Sequence, residues 1–115
     1  MVAQMNEEGT MPTISAERPV VTLINVFDVE PERQQDLVEL LVEATDKTMR
    51  HLPGFVSASI HQSLDARRVA NYAQWRSTED FKRMLQNPEA QDHMNRATKV
   101  ASAEPNLYHV VSVHE

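Results

Sequence analysis

The sequence predicts an α+β domain whose elements run strand, helix, strand, strand, helix, strand. Three observations carry that prediction. Residues 20–28 (Val-Val-Thr-Leu-Ile-Asn-Val-Phe-Asp) are β-branched and apolar, the composition of a strand. Leu37, Leu40, Leu41, Ala44, Thr48 and Leu52 fall at helical spacing and form one apolar stripe. Residues 55–63 and 68–76 read as two strands joined by a short turn, Leu64-Asp65-Ala66-Arg67.

The elements follow in order. Glu30-Pro31-Glu32 opens the first helix, because proline suits a first helical position and acids suit the positive end of the helix dipole. Pro53-Gly54 ends it. The turn at 64–67 lacks the glycine that marks the strongest hairpins. Ser77, with Asp80 three residues on, is a helix N-cap, and the second helix runs through Phe81, Met84 and Leu85. Asn87-Pro88 interrupts it, and residues 89–103 form a further helical stretch with Met94, Ala97, Val100 and Ala101 on one side. Pro105 is expected to break that stretch, leaving residues 107–113 as the last strand. This order is the split βαβ pattern of a ferredoxin-like βαββαβ fold. Helices cover one face of such a sheet. The other face must meet water or a second sheet. Tyr108 and Val110 alternate with Leu107, Val111 and Val113, so neither face of the last strand is polar, and a homodimer built through the sheets is expected.

Composition narrows the function. The chain has 115 residues, enough for one domain, with residues 1–18 as a loose tail and 19–115 as the folded part. It has no cysteine, which removes disulfides, thiolate metal sites and cysteine nucleophiles and is compatible with the cytoplasm. A net charge of −6 argues against nucleic acid or an anionic membrane as partner. Two glycines cannot make a phosphate-binding loop. No apolar run suggests a signal peptide or a membrane span. The histidines show no metal-ligand spacing, so no bound metal is expected.

The chemistry concentrates on the third strand. Val69, Asn71, Ala73 and Trp75 share one face, since strand residues alternate. A carboxamide and an indole N–H then stand about 13–14 Å apart with a small alanine between them, which leaves room for a ligand. The plainer reading of the same residues is a buried tryptophan beside a satisfied asparagine. Histidines His61, on the second strand, and His93, after Pro88, are the candidate proton acceptors. His61 is expected to share a face with Phe55, Ser57 and Ser59. His51 reads as a charge at a helix C-terminus. Met84 and Met94 should face the sheet, where thioethers serve as core and adapt to flat ligands.

Several of these stretches together resemble a known family. They are Pro-Gly-Phe-Val-Ser-Ala at 53–58, His61 to Ser63, Asn-Tyr-Ala-Gln-Trp at 71–75, Ser77, Phe81, and Pro88 with His93 behind it. Over residues 20–113 the chain is similar to the antibiotic biosynthesis monooxygenase domain, a dimeric α+β barrel. The resemblance implies its quinone-forming branch, which oxidises polycyclic phenols and anthrones of aromatic polyketide pathways without a cofactor, with dioxygen as co-substrate. It implies catalytic roles for Asn71 and Trp75, to which His61 and His93 are added as bases. Phe81, Met84, Met94 and Asn25 are the expected substrate contacts. The chain departs from some members in having Phe81 where they carry a tyrosine hydroxyl. An arginine of some members has only Arg96 as a nearby counterpart.

Two other readings stay open. Haem-degrading enzymes of this fold use a first-strand asparagine, a histidine and a second-helix tryptophan. Asn25 and His93 sit at comparable places, but Met84 stands where the tryptophan would be. Alternatively, the barrel binds a small aromatic ligand without catalysis or serves as a dimerisation module.

Overall fold

The computed structural model describes Ile14 and residues 19–115, so the expected tail at 1–18 lies outside the described residues apart from Ile14. Strand β1 (Val21–Val29) leads through a short 3-10 turn (Pro31–Arg33) into helix α1 (Gln34–Lys47). A second 3-10 turn (Met49–His51) precedes β2 (Phe55–Gln62) and β3 (Arg68–Trp75). Helices α2 (Thr78–Leu85) and α3 (Pro88–Val100) then lead to β4 (Ala101–Tyr108). The strands form one antiparallel sheet in the order β2-β3-β1-β4. This is the ferredoxin-like α+β arrangement that the sequence predicts.

Local signals explain the boundaries. Ser77 accepts a hydrogen bond from the Asp80 N–H (3.1 Å), and Asn87 Oδ1 accepts one from the Ala90 N–H (3.0 Å). Each cap satisfies one of the N–H groups that a helix start leaves unpaired. Gly54 adopts φ +83°, and a Cβ there would run into the Asp80 side chain, so this position requires glycine twice over. In the β2–β3 turn Ala66 takes φ +66° without being glycine. The turn is held instead by Asp65 Oδ1, which accepts from Ser63 Oγ (2.7 Å) and the Arg67 N–H (3.0 Å). These bonds, that from Ser63 foremost, hold the Asp65 carboxyl below the usual range.

The structure corrects the sequence reading in three places. The last strand is Ala101–Tyr108, not 107–113, and the preceding helix ends at Val100. Pro105 does not break it, because β4 is an edge strand paired to β1 alone, where a missing N–H is tolerated. Helix α1 ends at Lys47, so Thr48 and Leu52 lie beyond it. A β-bulge between Phe55 and Ser57 shifts the register of β2 against β3. The extra residue separates Phe55 from Ser57, Ser59 and His61, which face the other way.

The helices pack on the sheet face that carries Val21, Leu23, Asn25, Phe27 and Val29 of β1. Two core clusters form there. One gathers Phe27, Val29, Leu37, Val69 and Ala97; the other gathers Val21, Trp75, Met84 and Ala90.

Candidate active site

Between those clusters lies a cavity of about 220 Å³. Asn25, Asn71, Trp75, Met49, Met84 and Met94 line it, and His93 joins them from α3. Ala103 and Pro105, both exposed, place its rim at β4.

The backbone positions the polar groups. Asn71 and Trp75 share the helix-facing side of β3, with Ala73 between them at 4% exposure. Asn25 of β1 pairs directly with Asn71 in the antiparallel register. Opposed residues of such a pair have Cα atoms about 4.5–5.5 Å apart, so the two carboxamides stand side by side in the wall. Trp75 is held edge-on by Phe55 (ring centroids 5.5 Å, 89°) and Phe81 (6.4 Å, 71°). The ring is thus clamped in one orientation.

Three polar atoms of this wall are buried without a hydrogen-bond partner among the described residues: Asn25 Oδ1, Asn71 Oδ1 and Trp75 Nε1. Buried polar groups are nearly always paired, and each orphan costs roughly 1–3 kcal/mol. The two amide oxygens are acceptors and the indole N–H is a donor. The wall therefore offers acceptor sites to an O–H group and one donor to a carbonyl or oxyanion. A second, shallower groove of about 570 Å³ runs between Asp28–Glu30, Arg67–Arg68 and Thr98–Ser102. It holds none of these unpartnered atoms, and its Arg68 is already paired with Asp28 at 3.3 Å.

The expected site residues divide as follows. Asn25, Asn71, Trp75, Met84, Met94 and His93 meet at the cavity. Phe81 does not line it and acts from behind, against the Trp75 ring. His61 is exposed, opposite Ala70 on the other face of the sheet, and is removed from the cavity wall. Its expected company with Phe55 fails because of the bulge. His93 Nε2 meets Thr48 Oγ1 at 3.0 Å, and that hydroxyl donates to Glu89 Oε2 at 2.8 Å. Sequence reasoning missed Thr48 and Glu89 as partners of His93. The Glu89–His93 spacing of four, which puts both on one helix face, was the available signal. Among the described residues no group of three or more His, Asp or Glu gathers to hold a metal ion. No helix among them is long and apolar enough to cross a membrane.

A fixed tryptophan ring and two unpartnered amide oxygens thus line one enclosed cavity under a ferredoxin-like sheet. Comparison with known proteins makes the class specific. The profile of the family described as antibiotic biosynthesis monooxygenase matches residues 20–96. The chain is 46% identical over 95 residues to the tetracenomycin-F1 monooxygenase of Streptomyces glaucescens, covering 83% of this chain and 85% of that one. Its fold is similar to that of a monooxygenase from the gene ActVA-Orf6 of Streptomyces coelicolor, solved in complex with nanaomycin D. There the TM-score is 0.77 at 25% identity, over 85% of this chain and 93% of that one. The fold also matches SnoaB, a cofactor-independent oxygenase of Streptomyces nogalater, with a TM-score of 0.67 at 20% identity, over 83% and 96% of the two chains. The chain belongs to the antibiotic biosynthesis monooxygenase family and is an oxidoreductase of the monooxygenase class.

Proposed function

We propose that this protein oxidises a polycyclic phenol or anthrone, of aromatic polyketide type, to a quinone with dioxygen and no cofactor. The observation that carries the reading is the set of unpartnered atoms on Asn25, Asn71 and Trp75 in a largely apolar cavity. The similarity to the tetracenomycin-F1 monooxygenase supports it.

Dioxygen is a triplet, and its direct reaction with a singlet organic molecule is slow. An anthrone escapes this barrier once deprotonated, because the electron-rich enolate gives up one electron readily. The chain's task is to make and hold that anion. Trp75 Nε1–H donates to the substrate oxygen as charge develops on it. Asn71 and Asn25 accept from neighbouring phenolic O–H groups and fix the ring's register. His93 takes the proton. Electron transfer to dioxygen, recombination at carbon and collapse of the resulting peroxide follow. A CH₂ group becomes C=O, one oxygen atom enters the product and the other leaves as water. The apolar wall keeps bulk water from the anion. At about 220 Å³ the cavity is smaller than the roughly 300–1,000 Å³ of common ligand clefts. Met49, Met84 and Met94 supply the give that a polycyclic ring needs, since unbranched thioethers re-pack easily.

Oxygen uptake tests the reading. Purified protein without added flavin, haem or metal is expected to consume dioxygen when given an anthrone and to release the quinone. Tight binding of the anthrone without uptake would leave a ligand-binding protein. Dependence on a stoichiometric cofactor would remove the mechanism.

The working unit is a homodimer. The sheet face away from the helices carries Ile24, Val26, Ala70 and Tyr72, half-buried, and no helix of the described residues packs on it. Leu107, Tyr108, Val111 and Val113 add exposed apolar surface beside it. A second copy covering this face is expected to bury on the order of 1,200 Å² or more in total. Sedimentation equilibrium at micromolar concentration checks this, and a monomer there overturns it. The absence of cysteine is in keeping with a cytoplasmic setting.

A further inference from the structure

We infer that Thr48 and Glu89 are positioning residues that fix His93 as its Nε2–H tautomer, leaving Nδ1 as the nitrogen that accepts a proton. This rests on the reading of His93 as the base.

The assignment follows from counting protons. A threonine hydroxyl has one hydrogen to give. Thr48 Oγ1 stands 2.8 Å from Glu89 Oε2 and 3.0 Å from His93 Nε2. Glu89 is exposed, and an ionised carboxylate only accepts. The Thr48 hydrogen therefore goes to Glu89, and the hydrogen on the other short contact must come from His93 Nε2. A neutral imidazole carries a single N–H, so Nδ1 is left with its lone pair. When Nδ1 accepts a proton, the ring becomes an imidazolium whose Nε2–H still points at Thr48. Its positive charge is then linked through two hydrogen bonds to the Glu89 carboxylate.

The relay is built rather than accidental. Thr48 is 3% exposed, and its backbone N–H is tied to Ala44 O at 3.1 Å, so the hydroxyl is aimed by the end of α1. Glu89 and His93 lie one turn apart on α3 and reach the same hydroxyl. Charged groups on the facing helices are engaged with one another. Glu43 and Lys47 of α1 pair with each other at 3.1 Å, and Arg96 of α3 pairs with Asp92 at 2.8 Å. Glu89 is the carboxylate that hydrogen bonds connect to the ring. A ring free to change tautomer would present a proton where a lone pair is needed for part of the time, which lowers kcat without weakening substrate binding.

Long-range ¹⁵N–¹H correlation spectra of ¹⁵N-histidine-labelled protein test this directly. They are recorded at about pH 8, where an ordinary imidazole is neutral. His93→Ala identifies the His93 signals. Wild type is expected to show the Nε2–H pattern alone. Thr48→Val, which keeps the shape and removes the hydroxyl, should give a mixture of tautomers, and Thr48→Ser should restore the single form. In the oxygen-uptake assay Thr48→Val should lower kcat by on the order of 10-fold with KM little changed, again restored by Thr48→Ser. An Nδ1–H pattern in wild type, or an unmixed Nε2–H pattern in Thr48→Val, overturns the inference. A fixed Nε2–H tautomer together with full turnover in His93→Ala leaves the relay standing and removes His93 as the base.

Discussion

Asn71→Ala is expected to lower turnover by roughly 10²-fold, because the ring loses an acceptor that sets its register, while the protein stays folded. In most cores the loss of a buried amide also costs stability. Here the Asn71 oxygen has no partner among the described residues, so its removal relieves a desolvation penalty of roughly 1–3 kcal/mol. That relief offsets the packing lost with the side chain, and the melting temperature should hold or rise. Activity and stability then move in opposite directions, as they do where a site keeps polar groups unpaired for its ligand. Trp75→Phe also removes the N–H, but it puts a smaller ring in the fully buried space between Phe55 and Phe81, so turnover and melting temperature should both fall. Thermal melts and anthrone-dependent oxygen uptake on the same preparations check both. A clear fall in melting temperature with little loss of turnover would return Asn71 to an ordinary structural role.

His93→Ala should cost on the order of 10² to 10⁴ in kcat, the range for a positioned general base, whereas His61→Ala should leave turnover near wild type. His93 stands in the cavity wall and His61 on the opposite face of the sheet. If both variants keep wild-type turnover, the proton goes to water or to the substrate's own oxygens. A strong loss in His61→Ala would mean that the exposed face of the sheet is a working surface, and would place the chemistry across a subunit boundary.

Much of this was legible in the residues. The β-branched run of β1, the apolar stripe of α1 and the cap at Ser77 are local signals, and local signals survive folding. Asn71 and Trp75 could be placed on one face because strand parity needs no knowledge of neighbours. The errors came where the outcome depends on the neighbours. Pro105 reads as the breaker of the preceding helical stretch, yet it lies inside β4, and whether a strand admits a proline depends on whether it is central or at an edge, which is a property of the sheet. The bulge at Phe55 and Ser57 is invisible without the β3 partner, and one inserted residue was enough to send His61 to the wrong face. The direct pairing of Asn25 with Asn71 spans two strands distant in sequence, and only the register brings it about. Thr48 falls at the spacing of the apolar stripe of α1. Its hydroxyl became a relay because the helix ended one residue earlier.

The methionine-rich wall has a further consequence, in durability. Met49, Met84 and Met94 surround the space where dioxygen is proposed to be reduced. Thioethers are themselves readily oxidised, and a sulfoxide is polar, chiral and poorly suited to an apolar wall. Any peroxide that escapes productive collapse is released among these sulfur atoms. The softness that admits a large ring therefore also makes the wall a target for stray oxidant. Sulfoxide at Met49, Met84 and Met94 is therefore expected to accumulate with turnover.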